Sequence, residues 1–199
     1  MNNQDKYRCE WAIKTESMAK YHDEEWGVPL LDDLKLFEFI ILDGFQAGLS
    51  WQTIINKREN FREAFDNFKP EIIIDYGEDK VAELMNNAGI IRNKSKILAT
   101  IINAQKYLDL QKEYGTFAEY IWKFTNHRTI NNKFQLWKEI PATSAESDAM
   151  SKELKKLGFK FVGSTICYAF MQAAGMVNDH QIDCYRYEEI VEMSNKTYF

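Results

Sequence analysis

The sequence predicts an all-α protein, on two observations. Apolar residues recur three and four positions apart through most of the 199 residues, the spacing that gives a helix one buried face. Residues that cap or end helices (Asp, Ser, Thr, Gly and Pro) lie at the borders of these periodic segments. No segment shows a convincing strand-like alternation, and the isoleucine run at 72–74 is short and follows a proline.

Caps and apolar spacing together place the helices in the first half of the chain. Residues 1–31 are expected to be irregular apart from one short helix. Asp32 or Asp33, and then Ser50, can each accept a hydrogen bond from the free N–H groups of a first helical turn. Pro70 suits the first turn of a short helix, where its missing N–H is not needed. The predicted helices lie at 17–26, over 34–41, and at 51–66, 71–75 and 78–86.

The same signals place the helices in the second half. Gly115 ends a long helix, as glycine commonly does, and Thr116 begins the next one. Thr143 or Ser144 caps a further helix. Residues 163–174 are almost wholly apolar, which predicts the central buried helix. The predicted helices lie at 93–114, 116–124, 144–157 and 163–174, with an irregular connection at 126–143 and a surface helix in a C-terminal extension at 185–199.

Length and composition are those of one ordinary globular domain. With 45% hydrophobic and 28% charged residues, the chain is long enough for a core shared by two helical lobes, and we interpret 1–199 as a single domain. Residues 1–10 lack the apolar segment of a secretory signal, and no apolar run approaches the roughly 20 residues that cross a bilayer. We therefore expect a cytoplasmic, monomeric protein without a membrane partner.

Two cysteines and two histidines form pairs near the two ends of the chain. Twelve residues separate Cys9 from His22, and three separate His180 from Cys184, so that on a helix the second pair would share one face. An odd count of three cysteines without an export signal favours metal binding or buried thiols over disulfides. Two Cys and two His make a closed tetrahedral zinc set, which predicts one structural Zn²⁺; four unrelated residues are the alternative.

The segment 43–51 combines a carboxylate, two glycines and a large aromatic residue. Aromatic residues beside the carboxylate of Asp43 can sandwich a flat ring that is electron-poor or cationic. The candidates are Trp11, Tyr21, Trp26 and Trp51. A plain helix–turn–helix corner whose Trp51 fills the core explains the segment as well, because one glycine-rich turn is a weak signal.

The formal net charge is −5, which taken alone argues against a polyanionic partner, but the cations are segregated. Between 89 and 108 the chain carries Arg92, Lys94, Lys96 and Lys106 and no acid, and a second basic group lies at 152–160. Segregated charge allows a basic face on an acidic protein, although two solvated helix faces explain it too. The first group follows a tight turn at 87–91, and helix starts with exposed N–H groups bind phosphate. A plain α-hairpin is the alternative.

Several specific segments follow one another in order from Cys9 to Cys184. They are Cys9-Glu10-Trp11, Tyr21-His22-Asp23-Glu24-Glu25-Trp26-Gly27-Val28-Pro29, Gln46-Ala47-Gly48-Leu49-Ser50-Trp51, Ala88-Gly89-Ile90-Ile91-Arg92, Gly158-Phe159-Lys160-Phe161-Val162-Gly163, Thr165-Ile166-Cys167-Tyr168 and Val177-Asn178-Asp179-His180. Together they resemble the 3-methyladenine DNA glycosylase I family over nearly the whole chain.

The resemblance implies a helix–hairpin–helix DNA glycosylase fold with a base pocket between two helical lobes. It implies that zinc ties the termini together through Cys9, His22, His180 and Cys184. The implied pocket residues are Trp11, Tyr21 and Trp51, together with Asp43, where the family member usually described has glutamate. The implied DNA-binding residues are Gln46, Gly48 and Leu49 in an inserting loop, and Gly89, Ile91, Arg92 and Lys94 in and after a hairpin at 87–92.

The expected function is excision of 3-methyladenine from alkylated double-stranded DNA. The base must leave the stack, and Asp43, as the candidate catalytic residue, would accept hydrogen bonds from it and favour positive charge nearby. The resemblance implies hydrolysis without strand cleavage. Two alternatives remain: a catalytically silent DNA-structure binder on the same scaffold, and a zinc-stabilised helical protein that holds a small molecule in an apolar cleft.

Overall fold

The computed structural model describes residues 6–199, which form ten α-helices and one pair of two-residue strands. The helices are α1 (Glu16–Glu24), α2 (Asp33–Gln46), α3 (Trp51–Ala64), α4 (Pro70–Ile73), α5 (Glu78–Asn86), α6 (Lys94–Tyr114), α7 (Phe117–Trp122), α8 (Ala145–Leu157), α9 (Ser164–Ala173) and α10 (Tyr185–Met193). The strands β1 (Ile130–Asn131) and β2 (Val177–Asn178) pair in parallel. Between residues 6 and 199, no helix has both the length and the apolar character needed to cross a bilayer.

The expected caps are present and explain where four helices begin. The side chains of Asp32, Ser50, Thr116 and Ser144 each accept a hydrogen bond from the backbone N–H three residues further on. The all-α class is therefore confirmed. Several boundaries differ by a few residues, and the difference that affects the site is at α2, which continues through Asp43 to Gln46, so the corner expected at 43–51 is only the loop 47–50. The strand pair was not expected, since two residues are too few to show alternation.

Two helices form the centre of the core. Every residue of α2 from Leu36 to Phe45 is buried, and α2 packs against α3, α6, α7 and α9. The helix that the sequence predicted to be central, α9, packs on α8 and α2. A side chain near the carboxyl end of α2 is therefore attached to backbone that lies in the interior of the molecule.

The helix predicted in the C-terminal extension at 185–199 is α10, and one of its faces is buried. Tyr187 and Ile190 of α10 are buried in the core, and the ring of Tyr198 lies 4.6 Å from that of Trp122. The side chain of Asn178 on β2 also donates a hydrogen bond to the carbonyl of Tyr187. The tail is part of the hydrophobic core because the apolar residues of α10 recur at helical spacing and face the interior.

Replacing Ile190 by alanine tests the burial of this face of α10. The side chain is fully buried, so we expect Ile190→Ala to lower the free energy of unfolding by about 2–5 kcal/mol. Chemical denaturation monitored by circular dichroism measures the change. Glu192→Ala, at an exposed position of the same helix, is the matched control and should change stability by less than about 0.5 kcal/mol. Equal stability of the two variants would contradict the buried placement.

Candidate active site and metal centre

The two Cys/His pairs meet in one buried cluster. The ligand atoms of Cys9, His22, His180 and Cys184 all lie within 4.8 Å of one another. Cys184 Sγ lies 3.4 Å from His22 Nε2 and 3.6 Å from His180 Nδ1, and Cys9 Sγ lies 3.7 Å from the same Nδ1. The spacing suggested that His180 and Cys184 share a helix, but they do not. They lie in a turn before α10, closed by a hydrogen bond from Cys184 N to Gln181 O.

The outer nitrogen of each imidazole has its own acceptor. His22 Nδ1 lies 2.9 Å from Asp23 Oδ1, and His180 Nε2 lies 3.0 Å from Trp26 O. Because a carboxylate and a carbonyl only accept, each outer nitrogen carries the proton and each inner nitrogen presents a lone pair to the cluster. Burial also lowers the pKa of His180, which favours the neutral imidazole.

The neighbours of Cys184 make its thiol more acidic than an isolated one. A hydrogen bond from Cys9 is the main cause that lowers the pKa of Cys184, and the imidazoles of His180 and His22 act in the same direction. Two cysteine sulfurs and two inner imidazole nitrogens that converge form a donor set that fits one four-coordinate metal ion.

Beside this cluster lies an aromatic cavity of about 230 Å³. Trp11 lies 5.4 Å from the ring of His22, and Trp26 lies 4.6 Å from the ring of His180, measured between ring centroids. The predicted pocket residues Trp11, Tyr21, Asp43 and Trp51 all line the cavity. Trp26, Gln46, Trp137 and Gln172 line it as well. Trp137 and Gln172 were missed because neither belongs to a pattern visible in the sequence.

Asp43 is the only carboxylate in the described lining of this cavity. The residue is 2% exposed, and its Oδ2 has no hydrogen-bond partner among residues 6–199. Burial alone raises the pKa of Asp43 well above the ordinary range, which favours the protonated form of the carboxyl group. The indole nitrogens of Trp11 and Trp51 also lack partners in this part of the chain. Such buried polar groups each cost about 1–3 kcal/mol, which indicates that a polar ligand supplies their partners.

The loop 47–50 leaves the cavity and extends to the surface. Leu49 is 42% exposed, and Gly48 has a φ of +83°, a conformation that favours glycine. Lys96 supports the loop, because its Nζ donates hydrogen bonds of 2.8 Å to the carbonyls of both Phe45 and Ala47. Lys96 is buried, and burial lowers its pKa. Its expected place among the exposed cations of this region is therefore wrong, since its charge is used to hold the end of α2.

The turn at 87–93 joins α5 to α6 and keeps its predicted hairpin shape. Asn87 Oδ1 accepts a hydrogen bond from Gly89 N, and Lys57 Nζ donates to the carbonyl of Gly89. Arg92 and Lys94 are exposed. The backbone N–H groups of Ile91 and Arg92 donate to no acceptor within the described chain. Cations beside free amides give this turn the physical features of a phosphate contact.

A second corner of the same kind joins α8 to α9 at residues 158–163. The side chain of Asn103 binds both the carbonyl and the N–H of Lys160, which fixes the corner to α6. Lys155, Lys156 and Lys160 are exposed around it. The sequence indicated only that Gly158 ends a helix; the recurrence of glycine at 163 was the signal that a hairpin follows.

A partly open pocket with walls of indole and phenol rings and one buried carboxyl group defines a helical protein that takes up a flat heteroaromatic ring. The methyladenine glycosylase family model matches residues 11–187. The chain belongs to that family, which confirms the family predicted from its motifs.

Individual relatives agree over most of their length. The chain is similar to DNA-3-methyladenine glycosylase 1 of Escherichia coli (strain K12), at 49% identity over 177 residues that cover 89% of this chain and 95% of the relative. It is similar to a crystal structure of 3-methyladenine DNA glycosylase I at 46% identity and a TM-score of 0.88, covering 90% of this chain and 98% of that one. A structure of 3-methyladenine DNA glycosylase I from Staphylococcus aureus, on 3-methyladenine recognition, gives 32% identity, a TM-score of 0.87 and coverage of 90% and 96%.

The pH dependence of stability tests the state of Asp43. Below about pH 4 the carboxyl group is protonated in both the folded and the unfolded chain. As pH rises further, only the unfolded chain loses the proton, because the folded pKa is raised, and the free energy of unfolding falls. The amide of an Asp43→Asn variant does not titrate. We therefore expect Asp43→Asn to be more stable than wild type, by a margin that grows up to about 1.4 kcal/mol per pH unit from pH 4 towards neutrality.

Denaturant titrations of both proteins at a series of pH values measure this margin. Asp109→Asn, which replaces an exposed carboxylate whose pKa is lowered by Lys106, is the control and should show no such growth. A margin that stays constant from pH 4 to neutrality would contradict a buried, protonated Asp43.

Proposed function

We propose that this protein is a DNA glycosylase that hydrolyses the N-glycosidic bond of 3-methyladenine in alkylated double-stranded DNA and leaves an abasic site. The observation that carries the proposal is the aromatic cavity lined by the buried, unpartnered carboxyl group of Asp43. The relatives that bear the name of 3-methyladenine DNA glycosylase support the substrate. In this proposal the chain acts as a single domain over 1–199 and as a monomer.

The charge of the damaged base accounts for selectivity. Methylation at N3 makes the purine of the nucleotide cationic, and a cation within about 4–6 Å favours the ionised form of a carboxyl group. A charged base entering the pocket therefore lowers the pKa of Asp43, which releases its proton to solvent and pairs with the base as a carboxylate. Neutral adenine leaves Asp43 protonated and gains no such pairing. The faces of Trp11, Tyr21 and Trp51 add a cation–π term of about 0.5–2 kcal/mol for the charged base alone.

The reaction needs little proton transfer from the protein. A cationic purine is already a good leaving group, so a fitted pocket and a carboxylate that stabilises positive charge on the sugar lower the barrier. No lysine occurs in the described lining of the cavity. The absence of an amine nucleophile there favours simple hydrolysis by water over a Schiff-base route with strand cleavage.

The loop 47–50 and the two hairpins provide the contacts with the duplex. Extrusion of a base costs a few kcal/mol, and the exposed side chain of Leu49, with Gln46 and Gly48, is placed to fill the vacated space. Gly89, Ile91, Arg92 and Lys94 bind the phosphate backbone without reading sequence, as a helix–hairpin–helix does. The corner at 158–163 offers a second set of cations on the same principle.

Zinc is the metal that we assign to the buried cluster. Two cysteine sulfurs and two inner imidazole nitrogens form a complete tetrahedral set, without a free position for water or substrate. The zinc ion would be structural and would join the first residues of the chain to the segment before α10. Hydrogen bonds from the outer imidazole nitrogens to Asp23 and to Trp26 O hold the ligands in orientation.

Release of base from methylated duplex DNA tests the function. We expect wild-type protein to liberate free 3-methyladenine, detected by chromatography, without nicking the strand. Asp43→Asn removes the charge that stabilises the transition state, and we expect the rate of release to fall about 100-fold while duplex affinity stays within about 3-fold. Asp109→Asn, an exposed carboxylate on α6, is the control and keeps the wild-type rate.

If no base is released, binding to duplex DNA distinguishes the two alternatives. Metal-loaded protein that binds duplex DNA with a steep negative salt dependence but releases no base would be a silent DNA-structure binder. Protein that neither releases base nor binds duplex DNA would be a small-molecule protein instead.

Elemental analysis tests the metal. We expect about one zinc per chain, because the four ligands complete one tetrahedral site. Cys184→Ser removes a ligand, so zinc content falls well below one per chain and the melting temperature drops by several degrees. Cys167→Ser is the matched control, since Cys167 is also buried but lies outside the cluster. Full zinc content in Cys184→Ser would contradict the assignment.

A further inference from the structure

One tryptophan of the cavity lies in an irregular part of the chain. Trp137 begins the short 3₁₀ turn Trp137–Glu139, in the connection between β1 and α8. Its ring centroid lies 6.2 Å from that of Trp11 and 6.5 Å from that of Trp26. The residue remains 39% exposed although it lines the cavity. An indole that is half covered by other aromatic rings and half open towards a cavity has an unused face.

Polar contacts rather than packing hold Trp137 in place. The carboxylate of Glu139 accepts hydrogen bonds from the N–H groups of Gln135, at 2.8 Å, and Leu136, at 3.0 Å. These bonds lower the pKa of Glu139, so it remains charged at neutral pH. The carbonyl of Gln135 accepts a hydrogen bond from the side chain of Gln181, in the turn that carries the last two metal ligands. The turn that bears Trp137 is therefore fixed relative to the floor of the cavity.

Trp137 also borders a second space. A neighbouring groove of about 280 Å³ shares Trp137, Ala169 and Gln172 with the base cavity. Trp137 is the largest of these three shared side chains, so we infer that removing its ring would join the two spaces into one larger space. Ala169 is too small to replace this ring, and the amide of Gln172 is held by a 2.8 Å hydrogen bond to Asp179.

We propose that Trp137 is a specificity-determining residue of the base pocket: its ring contacts the extruded base and limits how large an N3 substituent the pocket accepts. This inference rests on the proposed function. The open face of the indole adds a stacking surface to those of Trp11, Tyr21 and Trp51, and tryptophan is the aromatic residue with the strongest attraction for cations. The position of Trp137 beside both spaces makes that same ring a steric limit, because a longer substituent would run into it.

Calorimetry with two free bases, 3-methyladenine and 3-propyladenine, tests both parts of the proposal. Loss of one stacking face weakens base binding by about 1.4 kcal/mol, so we expect Trp137→Ala to bind 3-methyladenine about 10-fold less tightly. Binding of 3-propyladenine, which gains the joined space, falls less or improves, so the affinity ratio shifts towards the larger base. Trp137→Phe keeps an aromatic face and shifts the ratio in the same direction by a smaller amount.

The control is Leu136→Ala, which removes an exposed apolar side chain from the same turn without touching either cavity. It should retain both the affinity for 3-methyladenine and the ratio. Melting curves establish that each variant is folded, and if Trp137→Ala does not fold, the ratio measured with Trp137→Phe decides.

Each result supports or overturns the proposal. An unchanged ratio in a folded variant would overturn it, including the case in which 3-methyladenine binds more weakly but 3-propyladenine weakens equally, because the ring would then only support Trp11. Release of base from methylated DNA by wild-type protein is measured alongside. If wild type releases base and the ratio does not move, the inference fails while the proposed function stands. If wild type neither releases nor binds base, both fail.

Discussion

The convergence of Cys9, His22, His180 and Cys184 is the constraint on which the rest of the site depends. It brings together residues that are 171 positions apart, Cys9 and His180, through donor atoms within one 4.8 Å cluster. A cross-link that closes so long a loop removes much freedom from the unfolded chain. The aromatic residues of the pocket are neighbours of the cluster residues. Tyr21 precedes His22 on α1, Trp11 follows Cys9 by two residues, and the carbonyl of Trp26 accepts a hydrogen bond from His180.

The cavity combines this rigid aromatic wall with one carboxyl group that reduces the stability of the empty protein. Asp43 lies at the end of a helix buried from Leu36 to Phe45, so neither water nor a described protein donor reaches its Oδ2. Unfavourable burial of this kind persists where the surrounding structure over-determines it, and it marks sites of function. The rings that exclude water from Asp43 also provide the faces on which a base stacks. We therefore attribute the proposed selectivity for a cationic base and the lower stability of the folded protein to one physical cause, the desolvation of a single carboxyl group.

The predictable parts of the molecule are those that depend on local chemistry. Asp32, Ser50, Thr116 and Ser144 form caps through bonds that span three residues, so the sequence alone indicated where those helices begin. The cluster of Cys9, His22, His180 and Cys184 was predictable because cysteine and histidine are scarce and are typical of metal sites. The buried position of Lys96 was not, since its acceptors, the carbonyls of Phe45 and Ala47, are about fifty residues away in sequence. Trp137 lies in a segment without periodicity, and only the assembled cavity shows its use.

Aspartate occupies position 43, where the family resemblance places glutamate, and this difference changes the position of the carboxyl group. The shorter side chain removes about 1.5 Å of reach, yet its carboxyl group lines the cavity because α2 itself is central to the core. A shorter side chain keeps the carboxyl group closer to the buried backbone and farther from the cavity mouth. The raised pKa of Asp43 follows from burial with no other cause. We propose that a carboxyl group in that position discriminates by charge, because only a cationic base offsets the free energy needed to ionise it.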